Sequence, residues 1–212
     1  MRSPISRHRQ QALSLIEILV TMGIMAVLAI LVVANAGKIN AKADSVTCIS
    51  NLRQQYLYLN NYAQENNGVY PAAVDYDTGR SWWLVLANFI NSPSQIPEVG
   101  KKTIFACPAA RQTYPNKKVS RTYAMNVFDN DYRVPCRITA NSKPSETLFI
   151  MDSCSSPAKN GDGIHYLRSN SFATTAEARH SGKMNGLYFD GHVAAVATDA
   201  PETLVQIGNM GK

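Results

Sequence analysis

The segment from Ile18 to Ala34 most limits what this chain can fold into, because it holds seventeen residues without a charge. Counted from Leu13, it provides twenty-two residues, which as a helix span about 33 Å against a hydrocarbon core of about 30 Å. Three arginines precede the segment, and this positive charge predicts a cytoplasmic N-terminus with the rest of the chain outside. The sequence therefore predicts one transmembrane helix over residues 13–35.

A cleavable secretory signal is the alternative interpretation of this segment. Ala34-Asn35-Ala36 matches the small-x-small pattern of a cleavage site, and cleavage there would release a chain beginning at Gly37. However, the segment is longer than the apolar core of most signals, about 7–15 residues, and it carries Glu17 at its leading edge. An ionisable group at the edge of a membrane helix is costly and usually has a partner, so Glu17 favours a retained helix.

The stretch around Glu17, residues 12–20, reads ALSLIEILV. It resembles the cleavage and methylation site of type IV pilins and type II secretion pseudopilins. The resemblance implies that a prepilin peptidase removes residues 1–12 as a cytoplasmic leader, and that Leu13 becomes the N-methylated first residue. It also implies that Glu17, then the fifth residue, pairs with the α-amine of a neighbouring subunit. Ala12 stands where the family usually has glycine, and Leu13 replaces the usual phenylalanine.

A helical pattern continues beyond the membrane segment, over residues 36–67. Apolar residues recur there at intervals of three or four, which predicts an amphipathic helix packed on the protein's own head domain, with coiled-coil pairing as the alternative. Asn66-Asn67-Gly68 and the following Pro71 predict its end. The predicted stripe consists of Ile39, Ala43, Val46, Ile49, Leu52, Tyr56, Leu59 and Ala63.

Residues 68–212 are predicted to form a periplasmic α/β head. Ser81 is the expected N-cap of a short helix that buries both tryptophans. Short apolar runs separated by Pro, Asn, Asp and Gly predict an antiparallel sheet, and a last helical turn is expected at 201–207. The fold class is α+β, with a long N-terminal helix packed on a small sheet, as in the pilins that the sequence resembles. The predicted strands are Thr103–Ala106, Arg121–Met125, Thr147–Met151, Leu187–Phe189 and Val193–Ala197.

The last two apolar runs flank Asp190-Gly191, which predicts a hairpin with a type I′ turn whose two central residues have positive φ. His180, nine residues and then Asp190-Gly191 resemble the C-terminal motif of a large class of pilin-like proteins. A hydrogen bond from the His180 imidazole to the Asp190 carboxylate is the structural role expected of this motif. The alternative is a metal site built from His180, Asp190 and His192, with His165 as a further ligand.

Four cysteines follow the membrane segment: Cys48, Cys107, Cys136 and Cys154. No two form a CxxC pair, which argues against a zinc ribbon or a thioredoxin-like site. In a periplasmic domain they are candidates for one or two disulfides, and all three full pairings stay open. No other cofactor is expected, except that the resemblance to major pseudopilins implies calcium, for which the loops 129–131 and 161–163 are candidates although no EF-hand fits.

The net charge of +6 does not indicate a nucleic-acid partner, because three of the charges precede the membrane segment and the others are scattered. The chain contains no nucleophile elbow, P-loop or HExxH motif, so a structural subunit is favoured over an enzyme. The resemblance implies a pseudopilus or pilus subunit in the inner membrane, whose partners are the prepilin peptidase, an assembly platform, lipid and other pilin-like subunits. The alternatives are a periplasmic binding protein released after Ala36 and a metal-dependent periplasmic enzyme.

Overall fold

The structure is a computed structural model that describes residues 14–91, 102–110, 121–127, 131–154, 166–168 and 171–199. The chain divides into two compact units, the first ending at Asn40 and the second beginning at Ala41. The elements in chain order are α1 (Leu15–Glu65), α2 (Trp82–Phe89), β1 (Tyr123–Asn126), β2 (Leu148–Asp152), β3 (Tyr166–Leu167), α3 (Phe172–Thr175), β4 (Met184–Tyr188) and β5 (Val193–Val196).

Helix α1 runs without interruption from the apolar segment into the amphipathic one, as predicted. It contains no proline, and it ends where Asn67 (φ 56°) and Gly68 (φ 74°) turn left-handed. The amide of Gly68 then donates to the carbonyl of Ala63 at 2.7 Å, the six-residue bond of a Schellman cap. The predicted stop signal is therefore confirmed.

The buried face of α1 differs from the predicted stripe. Ile39 and Val46 are 60% and 67% exposed, and the buried face begins only at Cys48. It also includes two amides, Asn51 and Gln55, which were not expected inside. These amides can be buried because the loop 102–110 provides their hydrogen-bond partners. Nδ2 of Asn51 donates to the carbonyl of Ala106 at 3.3 Å, and Nε2 of Gln55 donates to the carbonyl of Ile104 at 2.6 Å.

The same contacts explain why the strand predicted at 103–106 is wrong. The segment consists of turns instead, and its carbonyls at Ile104 and Ala106 are bound by side chains of α1. The amide of Phe105 donates to the hydroxyl of Thr103 at 2.9 Å. Because these backbone groups find partners without a neighbouring strand, the loop does not need to join the sheet.

Helix α2 begins after Ser81 and buries Trp82 and Trp83, as predicted. The expected side-chain cap is absent, since Ser81 makes no capping hydrogen bond with its hydroxyl. Both indole rings lie edge-on to Phe105, with ring centroids 6.0 and 6.2 Å apart. The tryptophans thus join α2 to the loop 102–110 in one core.

The described strands form one sheet in the order β3-β1-β2-β4-β5. All pairs are antiparallel except β1 and β3, which are parallel, so the sheet is mixed rather than antiparallel as predicted. Every residue of β1, β2 and β4 is buried. One face packs on α1 and α2, and the other packs on Phe172 of α3. The predicted α+β class, a long helix with a small sheet, is confirmed.

The turn between β4 and β5 is not the type I′ turn that Asp190-Gly191 predicted. Four residues separate the two strands, and the three of them that lie inside the Tyr188–His192 hydrogen bond, Phe189–Gly191, form the loop. Gly191 alone among these three has positive φ, at 93°. The amide of Gly191 donates to the carbonyl of Tyr188 at 3.0 Å, and the amide of Tyr188 donates to the carbonyl of His192 at 2.9 Å. This is the three-residue hairpin loop that closes on a left-handed glycine.

Candidate functional site

The N-terminal part of α1 exposes an apolar surface. Every residue from Ser14 to Ala43 is exposed, and the large apolar side chains between Leu15 and Val33 are 47–82% accessible. Among the described residues, α1 is the helix that is long and apolar enough to cross a membrane. Apolar surface of this extent is stable only against lipid or another apolar surface.

Glu17 lies in the first turn of α1, where the helix dipole favours a negative charge. Its backbone amide donates to the carbonyl of Ser14 at 3.0 Å. Ala12 and Leu13, the predicted cleavage position, lie outside the described residues. The competing cleavage site, residues 34–36, lies within the continuous helix rather than in an extended segment.

His180 is positioned by a tight turn that precedes β4. Ser181 (φ 53°) and Gly182 (φ 77°) are both left-handed, and His180 and Lys183 exchange backbone hydrogen bonds at 2.9 and 3.1 Å. These are the features of a type I′ turn. The turn type expected at Asp190-Gly191 therefore occurs at the start of β4, where it directs His180 into the interior.

The imidazole of His180 belongs to a buried cluster of four side chains, the other three being Cys48, Cys107 and Asp152. Their donor atoms all lie within 4.8 Å of one another. The Nε2 atom of His180 is 3.3 Å from Sγ of Cys107 and 3.4 Å from Oδ2 of Asp152. Sγ of Cys48 lies 3.5 Å from Oδ1 of Asp152. The cluster thus connects α1, the loop 102–110, the end of β2 and the turn before β4.

Further buried groups fix the orientation of this cluster. Nη1 of Arg179 lies 3.1 Å from Oδ1 of Asp152, and the two side chains are 1% and 0% exposed. The hydroxyl of Tyr123 donates to Sγ of Cys48 at 3.1 Å, and the backbone amide of Asn185 donates to Oδ2 of Asp152 at 2.8 Å. The carboxylate is therefore compensated by a full positive charge and by directed hydrogen bonds.

The pKa values of the cluster follow from these contacts. Burial raises the pKa of the Cys48 thiol far above its ordinary value. Hydrogen bonds from Cys48 and His180 outweigh burial at Cys107 and lower its pKa to about 6. Burial alone lowers the pKa of His180, but its hydrogen bonds to Asp152 and Cys107 dominate and raise it to about 9. The environment therefore favours a thiolate at Cys107.

This arrangement differs from that of a cysteine protease or a related hydrolase. In such enzymes the nucleophile and the carboxylate bind opposite nitrogens of the imidazole. Here Cys107 and Asp152 both lie against Nε2 of His180, and Cys107 is only 1% exposed. The contacts are those of a compact polar core rather than of a proton relay open to substrate.

Asp190 and His192 lie at the opposite end of β4. Oδ1 of Asp190 is 2.6 Å from Nδ1 of His192, and both side chains are partly exposed. The predicted hydrogen bond from His180 to Asp190 is wrong, because the five residues of β4 separate the two turns by about 17 Å. The predicted metal set is divided for the same reason, and His165 lies outside the described residues.

The Asp190-Gly191 turn instead contacts α1. A Cβ atom on Gly191 would lie 2.4 Å from Cε1 of Tyr56, and the Tyr56 hydroxyl donates to the carbonyl of Phe189 at 3.2 Å. Gly191 is therefore required both by its φ and by the close approach of the aromatic ring. The two ends of the histidine-to-glycine motif hold β4 against different turns of the same helix.

All four cysteines lie in the described residues, and all are free thiols, so none of the three predicted pairings is formed. Sγ of Cys136 donates to the carbonyl of Arg137 at 3.3 Å, and that of Cys154 to the carbonyl of Thr174 at 3.0 Å. Most of the proposed calcium loops, residues 129–130 and 161–163, lie outside the described residues, as does the helical turn predicted at 201–207.

Sequence reasoning missed two members of the buried site, Asp152 and Arg179, and did not group Cys48 with Cys107. A signal exists for the first two. Asp152 is a carboxylate at the end of an apolar run, and Arg179 directly precedes the motif histidine. A charge that terminates a buried strand requires a partner, and an arginine next to the motif histidine is a candidate for it.

Comparison with known proteins supports the interpretation of the N-terminus. Residues 7–33 match the family described as the prokaryotic N-terminal methylation motif. No curated protein and no solved structure matches the chain. The matched range includes Glu17 and the predicted cleavage position, and it overlaps the exposed apolar part of α1. The chain therefore carries the prepilin-type methylation motif of type IV pilin-like proteins and pseudopilins, at the start of a helix long enough to span a membrane.

Proposed function

We propose that this chain is the precursor of a pilin-like structural subunit that assembles into a pseudopilus or a pilus. The observation that carries the proposal is the methylation motif at residues 7–33, together with an apolar helix that is exposed along its whole N-terminal part. A prepilin peptidase cleaves between Ala12 and Leu13, and Leu13 is N-methylated. The head domain lies in the periplasm until an inner-membrane platform extracts the subunit from lipid.

Glu17 has a specific role in this proposal. Cleavage creates a positive α-amine at Leu13, four residues before the carboxylate, at the edge of the apolar segment. Each charge is costly in a low-dielectric environment, and pairing the amine of one subunit with Glu17 of the next offsets part of that cost. The pair would also fix the axial register between neighbouring subunits.

Assembly follows from the exposed surface of α1. One face of the helix contacts a different face of the helix on the next copy. Such a heterologous contact does not close into a ring, so its repetition builds a filament. The apolar side chains that contact lipid before assembly then contact other copies. Type II secretion is the system that the family resemblance favours. Calcium binding by the loops 129–131 and 161–163 stays a prediction.

The N-terminus of the mature chain tests the proposal. The full chain is isolated from membranes, and its intact mass and first residue are determined. We expect N-methylated Leu13. An Ala12→Leu variant should then accumulate uncut, because a large residue blocks a peptidase that cuts after a small one, whereas Ala36→Leu should be processed normally. A chain beginning at Gly37, with processing lost in Ala36→Leu instead, would refute the proposal and indicate a secreted protein.

A further inference from the structure

The buried cluster contains four ligand atoms of the kind that bind a transition metal: two sulfurs, one imidazole nitrogen and one carboxylate oxygen. They come from four separate parts of the fold, yet all lie within 4.8 Å of one another. Cys48, Cys107 and Asp152 are 0–1% exposed, and the side chain of His180 is 5% exposed. Removing these polar groups from water costs free energy, and strong interactions among the buried groups must offset that cost.

Three of the six separations between ligand atoms fall in the range of a tetrahedral zinc site. Bonds of about 2.3 Å to sulfur and about 2.0–2.1 Å to nitrogen or oxygen place the ligand atoms about 3.3–3.8 Å apart. The observed separations are 3.3 Å for Cys107 Sγ to His180 Nε2 and 3.4 Å for His180 Nε2 to Asp152 Oδ2. Sγ of Cys48 lies 3.5 and 3.8 Å from the two carboxylate oxygens. The remaining three pairs of ligand atoms lie within 4.8 Å, so the four groups converge on one point.

A divalent ion and Arg179 supply the positive charge for the ligands. Two thiolates and the Asp152 carboxylate carry three negative charges against three positive ones, and Glu177, which also pairs with Arg179 at 2.8 Å, adds a fourth negative charge on a side chain that is 18% exposed. Arg179 is ion-paired with Asp152 at 3.1 Å with both side chains buried, so this compensation is built into the fold. The hydroxyl of Tyr123 and the amide of Asn185 hold one sulfur and one carboxylate oxygen in place, as outer contacts do at metal sites.

A disulfide between Cys48 and Cys107 is the competing use of the two sulfurs. It would bring them to about 2.05 Å and would need no other group. A disulfide would provide neither a proton nor a positive charge to the His180 imidazole and the Asp152 carboxylate, which lie next to the same sulfurs. A tetrahedral metal uses all four groups, and a mixed set of sulfur, nitrogen and oxygen with four protein ligands suits zinc.

We propose that Cys48, Cys107, Asp152 and His180 bind one Zn²⁺ ion in a closed structural site that joins α1 to the sheet. Binding displaces any thiol protons to solvent and leaves no open coordination position, so the ion stabilises the head domain rather than activating water. The proposal does not depend on how the N-terminus is processed, because all four ligands lie in the second unit.

The test uses the full chain, purified in detergent without a histidine tag or chelators, and zinc itself as the probe. We expect about one zinc per chain by elemental analysis. His180→Ala and Cys107→Ser should lose the metal. Their matched controls, His192→Ala and Cys154→Ser, should retain it, because these side chains lie outside the cluster. Retention of zinc by His180→Ala, or its loss from both histidine variants alike, would overturn the assignment.

Two further measurements decide the question even where a variant fails to fold. Exchange of the unaltered chain into Co²⁺ should give the absorption of a tetrahedral ion with two thiolate ligands. Alkylation of the denatured chain without reductant should label all four cysteines. A zinc-free chain in which Cys48 and Cys107 are linked by a disulfide, or one that takes up no metal with both thiols reduced, would refute the proposal.

Discussion

Replacing Gly191 by alanine should destabilise the head domain by two separate effects. Gly191 has a φ of 93°, and a left-handed conformation costs an L-residue about 1–2 kcal/mol. The new Cβ would also lie 2.4 Å from the Tyr56 ring, and overpacking of this kind costs about 1–3 kcal/mol. The two effects together predict a loss of about 2–5 kcal/mol, which is a large part of a domain's stability.

Gly79 provides the matched control, because its φ is 65° and a Cβ there would meet nothing within 4 Å. Gly79→Ala should therefore lose only the backbone contribution. Urea unfolding of the full chain in detergent can be followed by the fluorescence of Trp82 and Trp83, which are buried in the head. In a Tyr56→Ala background, Gly191→Ala should cost no more than Gly79→Ala does. Equal losses for the two glycine variants in the unaltered background would refute the steric argument.

Two further predictions concern charge. Leu28→Arg places a charge in the apolar part of α1 and should weaken membrane insertion by about 2.5–3.5 kcal/mol. Extraction of membranes at alkaline pH measures the insertion. The control is Leu57→Arg, at a similarly exposed position of the same helix in the second unit, and this variant should remain inserted. Arg179→Met removes the guanidinium that pairs with the buried Asp152 carboxylate at 3.1 Å and should cost about 3–5 kcal/mol in urea unfolding. An Arg179→Met chain as stable as the unaltered one would contradict the ion-pair argument.

The parts of the fold that the sequence predicted well are those decided by local chemistry. The absence of proline from residues 5–70 and the Asn67-Gly68 pair determine where α1 can continue and where it must end. Trp82 and Trp83 are buried because large apolar side chains on a short helix have no other stable environment. Neither inference needs any knowledge of what lies across the core.

The buried site could not be predicted because its members meet only through tertiary contacts. Cys48 and Asp152 are 104 residues apart in sequence, and Cys107 and His180 are 73 apart. The predicted strand at 103–106 failed for a related reason, since the amides of Asn51 and Gln55 take the carbonyls that a strand would have offered to the sheet. The periodicity of a sequence predicts which face of a helix or strand is apolar. It does not predict to which backbone carbonyl a buried side-chain amide donates.

The polar contacts of α1 also explain how one register is selected along the helix. Its buried apolar side chains, Cys48, Leu52, Leu59 and Ala63, are spaced by four, seven and four residues, so a slip of one turn, about 5.4 Å, would again present apolar side chains to the sheet. Such a slip would separate Cys48 from the cluster, Gln55 from its loop carbonyl and Tyr56 from the Gly191 turn. Buried polar groups left without partners cost about 1–3 kcal/mol each. Hydrophobic burial therefore attaches the helix to the head, and the cysteine, the amide and the tyrosine determine where along its length it is attached.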